Sequence, residues 1–180
     1  MKEHKTKDGR TFTIRQPTGD DAQDIIDYSR LLFASTDQVL TTLEEYTINV
    51  QQERTWIDNF NDDPNSILLI AVMQHRIVGL LFFVGGSKKK NAHTGELGLS
   101  VNPEFQGLGI GRQLITSLIQ WAETNPAIEK IFLNVFATNE KAIHLYKHLG
   151  FAEEGRFIRA VKQPDGEYVD VLQMYIMTKG

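Results

Sequence analysis

At 180 residues, with 19 Lys and Arg against 23 Asp and Glu, the chain carries a formal net charge of −4 and has the length of one domain. A hydrophobic fraction of 41% beside 23% charged residues is too apolar for disorder, and the acidic balance argues against a nucleic-acid partner, which calls for a basic stripe. Cysteine is absent, which excludes disulfide scaffolds, thiolate nucleophiles, cysteine zinc sites and iron–sulfur clusters.

The polar start Met1-Lys2-Glu3-His4-Lys5 lacks the apolar segment of a secretory signal. No apolar run approaches the roughly 20 residues that span a bilayer, so a cytoplasmic protein with no membrane partner is expected. Thr11-Phe12-Thr13-Ile14-Arg15 alternates polar and apolar, the period of a half-buried strand, and Pro17 ends it. Thr18-Gly19-Asp20-Asp21 supplies capping and first-turn residues for a helix carrying Ala22, Ile25, Ile26 and Leu32. A second helix is predicted from Leu43 to Phe60, closed by Asp62-Asp63-Pro64-Asn65. Ser66 to Val72 and Ile77 to Val84 read as strands joined by a tight turn at Gln74-His75.

Gly85-Gly86-Ser87-Lys88-Lys89-Lys90-Asn91 reads as a solvated loop. Glu96 to Val101 is a further strand, ended by Asn102-Pro103. Ile110, Leu114, Leu118 and Ala122 recur every fourth residue, an amphipathic helix that stops at Asn125-Pro126. Lys130 to Phe136 is a strand, and Asn139 to Leu149 a helix closed by Gly150. Phe151 to Ala160 and Tyr168 to Met177 are two last strands around Gln163-Pro164-Asp165-Gly166. Hairpins followed by a β-α-β crossover imply an α/β (α+β) fold: a mixed, mostly antiparallel sheet of about seven strands flanked by about four helices. With no repeat, low-complexity segment or linker in view, a single domain over 1–180 is expected, its core from about 11 to 177.

The segment from Val101 to Arg112 lies between a strand and a helix and contains Gln106-Gly107-Leu108-Gly109-Ile110-Gly111-Arg112. Glycines there expose backbone N–H groups, and with the helix dipole they suit a phosphate. A triphosphate P-loop needs Lys-Ser/Thr after the last glycine, where Arg112-Gln113 stands. A dinucleotide fingerprint needs glycine at the Arg112 position and an early β-α-β unit. A turn with no ligand would spend three glycines without a use.

Gln106-x-x-Gly109-x-Gly111 resembles the Q/R-x-x-G-x-G/A motif of the GCN5-related N-acetyltransferases (GNAT), and Val101-Asn102-Pro103 before it resembles that family's Val-x-Pro strand end. A second signature, from Leu133-Asn134-Val135 through Asn139, Ala142 and Leu145-Tyr146 to Gly150-Phe151, is similar to the family's L-x-V-x-x-x-N-x-x-A-x-x-L-Y-x-x-x-G-F. The resemblance covers nearly the whole chain. It implies the acyl-CoA N-acyltransferase (GNAT) fold and acetyl transfer from acetyl-CoA to a primary amine, with no metal. It further implies that N–H groups of Gln106, Gly107, Leu108, Gly109, Ile110, Gly111 and Arg112 cradle the CoA pyrophosphate. Leu99 and Val101 would bond the pantetheine arm through their backbone, Asn139 would bond it as well, and Tyr146 would protonate the departing sulfur. Some family members place a catalytic Glu on the strand that Glu96 opens, so Glu96 is the expected base, among apolar neighbours, with His93 as the alternative.

Asn139, Ala142, Ile143 and Tyr146 fall at i, i+3, i+4 and i+7 and share a helix face whatever their role; Asn139 also suits a plain N-cap, and Tyr146 a core aromatic. His144 and His148 stand four apart, but Leu145 occupies the place of a metalloprotease Glu. With no Cys to carry an acetyl group, direct transfer in a ternary complex is expected. Acceptor contacts are expected from Phe33, Ser35, Thr36, Asp37, Tyr46, Trp56, Phe157 and Tyr168. Expected partners are a small-molecule amine or amino acid, as in the amino-acid and phosphinothricin-type branch, and a second copy in a homodimer. Protein N-terminal acetylation and a non-catalytic acyl-CoA sensor are the alternatives.

Overall fold

Alternation builds the sheet and a fourfold stripe builds the helices that cover it. The structure is a computed structural model describing residues 2–179; Met1 and Gly180, the ends of the expected domain, lie outside the described residues. The strands are β1 (Lys2–Lys5), β2 (Thr11–Arg15), β3 (Ile67–Met73), β4 (Arg76–Gly85), β5 (Thr94–Val101), β6 (Lys130–Phe136), β7 (Ala152–Lys162) and β8 (Tyr168–Met177). The helices are α1 (Ala22–Ser35), α2 (Val50–Asp62), α3 (Ile110–Thr124) and α4 (Glu140–His148). One sheet runs β1-β2-β3-β4-β5-β6-β8-β7. Every pairing is antiparallel except β5 with β6, as a crossover through α3 requires.

The two faces bury two cores. On one, Leu114, Ile115 and Leu118 of α3 meet Leu69, Leu81, Leu97 and Leu133, and Tyr146 of α4 joins them. On the other, Ile25 and Tyr28 of α1 and Ile57 and Phe60 of α2 meet Leu68, Ile70 and Leu80. Strands β3 and β4 are apolar on both sides because helices cover both faces.

Two expectations change. The sheet has eight strands, the addition being β1, whose Lys-Glu-His-Lys sequence shows no apolar alternation because it is an edge strand blunted by charge. The second helix begins at Val50 rather than Leu43. Asn49 accepts from the Gln52 N–H while the Gln52 side chain accepts from the Asn49 N–H, and this reciprocal box fixes the start. The turn between β3 and β4 is the expected one, with Gln74 at φ 49° and Arg76 following His75 at φ 63°, the left-handed pair a two-residue hairpin demands.

Candidate active site

The sheet opens at its one parallel junction. Strands β5 and β6 pair only at Thr94↔Lys130, Gly95↔Ile131 and Glu96↔Phe132. Beyond Glu96, β5 continues against β4 as far as Gly79↔Val101, while its other edge has no strand partner. Leu99 and Val101 therefore line a cleft of about 1660 Å³ that runs between the sheet halves and is walled by residues of α1, α2, α3 and α4.

At one end of the cleft the chain turns from β5 into α3. Asn102 is buried, and its Oδ1 accepts from the Glu104 N–H to start a single turn over Pro103–Phe105. The Gln106 side chain folds back to donate to the Val101 carbonyl at 3.2 Å. Gly107 and Gly109 then adopt φ of 76° and 92°, a region costly to any residue with a Cβ, and Gly109 is the N-cap of α3. The N–H groups of Gly107, Leu108, Gly109, Ile110, Gly111 and Arg112 find no acceptor among the described residues. A Cβ on Gly107 would meet nothing within 4 Å, and one on Gly109 only the Lys7 side chain at 4.0 Å, so the donors face open space. A diphosphate fits this cradle in charge and in hydrogen bonding. Gly111 differs: it is buried against Leu99, Val101 and Leu145, which seats α3 on β5.

Helix α4 supplies the opposite wall. Asn139 is its N-cap, its Oδ1 accepting from the Ala142 N–H at 3.2 Å, and it is one of the residues that line the cleft. One helical face carries Ala142, Ile143 and Tyr146 into the α3-side core. The Tyr146 ring packs at 5.7 Å on Phe151, and its residue is only 6% exposed. Burial pushes its pKa up to about 12, so the hydroxyl holds its proton at neutral pH.

The other half of the cleft belongs to α1, α2 and the opposite face of β5. Glu96 is exposed, and its Oε1 accepts from Asn134 Nδ2 of β6 at 2.9 Å, so a polar neighbour stands beside it. Four residues on, on the same face of β5, Ser100 Oγ accepts from the Tyr28 hydroxyl at 2.9 Å. Burial pushes the Tyr28 pKa up to about 12. Phe33 and Tyr46 pack edge to face at 5.0 Å, as do Trp56 and Phe60. Of the expected acceptor contacts, Phe33, Thr36, Tyr46, Trp56 and Phe157 line the cleft, whereas Ser35, Asp37 and Tyr168 do not. Ser35 donates to the Leu32 carbonyl, and Tyr168 lies under the Arg159 guanidinium at 3.9 Å.

Sequence reasoning missed Tyr28, Glu53, Ser100 and Asn134. Tyr28 follows Ile25 by three and reads as core; Glu53 sits in the polar run Gln51-Gln52-Glu53-Arg54 and reads as solvated. His93 is exposed, accepts through its carbonyl from Glu129 and Lys130 N–H groups, and is not a wall of the cleft. The lysine loop is exposed and held by Asn91 Oδ1 on the Lys88 N–H. The His144 and His148 rings lie 4.1 Å apart, and among the described residues no group of three or more His, Cys, Asp or Glu gathers to hold a metal. Among the described residues no helix is long and apolar enough to cross a membrane.

The family model of the acetyltransferase (GNAT) family matches residues 34–151, from the end of α1 through the glycine turn to Phe151. The chain belongs to the GNAT acetyltransferase family. It is 30% identical to a spermidine N(1)-acetyltransferase of Vibrio cholerae over 135 residues, 74% of this chain and 76% of the relative. It is 27% identical to the L-amino acid N-acetyltransferase AaaT of Escherichia coli over 122 residues, 68% of this chain and 75% of the relative. Among solved structures, yncA of Salmonella typhimurium, determined with its cofactor acetyl-CoA, has the same fold at a TM-score of 0.82 and 20% identity, covering 93% of this chain and 94% of that one.

Proposed function

We propose that this acetyltransferase is a single domain over residues 1–180 that moves the acetyl group of acetyl-CoA directly to a primary amine of a small molecule. The observation that carries the proposal is one continuous cleft: outward N–H groups at the start of α3, an open edge of β5, and a protonated tyrosine hydroxyl on α4. Bound there, acetyl-CoA supplies an acetyl group activated as a thioester. The N–H groups from Gly107 to Arg112 hold the diphosphate with the positive end of α3 behind them, whereas the expected Gln106 N–H is taken by the Pro103 carbonyl. The free edge at Leu99 and Val101 takes the pantetheine arm as an added strand would be taken, with the Asn139 amide as a further donor. Backbone N–H groups along Leu99 to Val101 polarise the thioester carbonyl.

Two side chains move protons. Tyr146 donates to the sulfur as the carbon–sulfur bond breaks, and its raised pKa keeps that proton available. Glu96, oriented by Asn134, takes the proton of the incoming amine directly or through a water. The absence of cysteine leaves no thiol to carry an acetyl-enzyme, which favours a ternary complex. The test is release of free CoA from acetyl-CoA across a panel of small amines. Amine-dependent release is expected; tight acetyl-CoA binding with no release for any amine would make the chain a binding module instead.

A further inference from the structure

The two halves of the cleft differ in sign. The lysines and arginine on its walls, Lys7, Arg112 and Lys141, stand by the glycine turn and at the start of α4, where Glu140 is the single carboxylate against these three cations. On the α1 and α2 side the ionisable walls, apart from tyrosines, are Glu53 and Glu96. Glu53 lies in the first turn of α2, is 5% exposed and still lines the cleft. Among the described residues no Lys, Arg or His nitrogen lies within 4.0 Å of its carboxylate. The Tyr46 hydroxyl is the polar group beside it, and burial pushes its pKa up against that neighbour's influence. Arg30 acts on Tyr46 from outside and is not a wall of the cleft.

A carboxylate withdrawn from water without a cation is costly, and it is recovered when a ligand brings the opposite charge. The surroundings also suit the carbon chain of such a ligand, because Phe33, Tyr46, Trp56 and Phe82 supply aromatic faces to methylene groups and to an ammonium. An acceptor carrying a carboxylate would meet like charge on this side and no basic partner.

Resting on the transferase reading above, we propose that Glu53 selects the acceptor: it holds a second, cationic nitrogen of a di- or polyamine, and its charge turns away free amino acids. Glu53 is thereby a specificity residue, separate from the proton transfers assigned to Glu96 and Tyr146.

The experiment is calorimetric titration of the CoA-loaded protein with putrescine, with pentylamine, in which a methyl group replaces the second nitrogen, and with L-alanine. Putrescine should bind about 10–100-fold more tightly than pentylamine, the range for a hydrogen bond to a charged group, and L-alanine more weakly than either. Glu53→Gln should erase the putrescine advantage while the affinities for pentylamine and CoA hold, which a merely structural role in α2 would not produce. Equal binding of putrescine and pentylamine, an advantage that survives Glu53→Gln, or a preference for L-alanine would each overturn the assignment. CoA release, measured in parallel, separates the two proposals. Release without putrescine selectivity removes the role of Glu53 and keeps the transferase, whereas selective binding without release for any amine keeps Glu53 and removes the transferase.

Discussion

The half of the cleft proposed for the donor is made of backbone, and the half proposed for the acceptor of side chains. In the first, the geometry is set by φ angles of 76° and 92° at Gly107 and Gly109 and by N–H groups with nowhere else to bond. In the second, Tyr28, Glu53, Glu96 and Asn134 converge from α1, α2, β5 and β6. A backbone site depends on a few glycines at fixed spacing and serves one ligand shape. A side-chain site can be altered one residue at a time without disturbing the turn assigned to the donor, which is how a shared fold accommodates different acceptors.

That difference can be broken at its most sensitive point first. Glu96→Gln keeps an oxygen for the Asn134 amide but cannot take a proton, and turnover should fall about 10²–10⁴-fold. Parental rates with an unchanged acidic limb of the kcat/KM profile would make Glu96 only a partner of Asn134. Tyr146→Phe comes next, with a loss of about 10–10³-fold in the single-turnover rate and little change in acetyl-CoA affinity. Because the Tyr146 pKa is pushed up to about 12, the donor form persists as pH rises, so the parent should show no alkaline loss from this group between about pH 7 and 10. A parental single-turnover rate in the Phe variant would return Tyr146 to a packing role against Phe151.

Gly109→Val should weaken acetyl-CoA by about 10–100-fold, since a β-branched residue cannot comfortably hold φ 92° and the side chain enters the cradle. Its KM for the amine should stay within about threefold by the logic of two separable halves; calorimetry and initial rates check the pair. The smallest effect belongs to Tyr28→Phe. Losing one hydrogen bond to Ser100 should raise the amine KM by about two- to tenfold and leave acetyl-CoA binding alone. A change confined to acetyl-CoA affinity would place Tyr28 in the wrong half.

The same contrast decides what the sequence discloses. Strands such as Lys130–Phe136 and Tyr168–Met177 read off directly, because burial on one or both faces writes itself into alternation or into an apolar run. The glycine turn is legible for a related reason: backbone that must expose N–H groups needs residues without a Cβ at set intervals. The polar edge strand at Lys2–Lys5 is not, since its register comes from pairing with β2 and not from a buried face. Leu43 and Tyr46 imitate a helical stripe, but the Asn49–Gln52 box starts α2 later. Glu53 and Asn134 are hidden most deeply. Each is a polar residue in a polar or alternating context, and only the packing of four elements around the cleft gives it a role.

Amide hydrogen exchange with and without saturating acetyl-CoA tests the central claim most directly, that the donor is held by backbone groups the protein leaves without acceptors. The account predicts that slowing on binding concentrates at Gly107 to Arg112 and along Leu97 to Val101, with little change in α2. Exchange at those amides left unaltered while calorimetry on the same sample shows the ligand bound would contradict it.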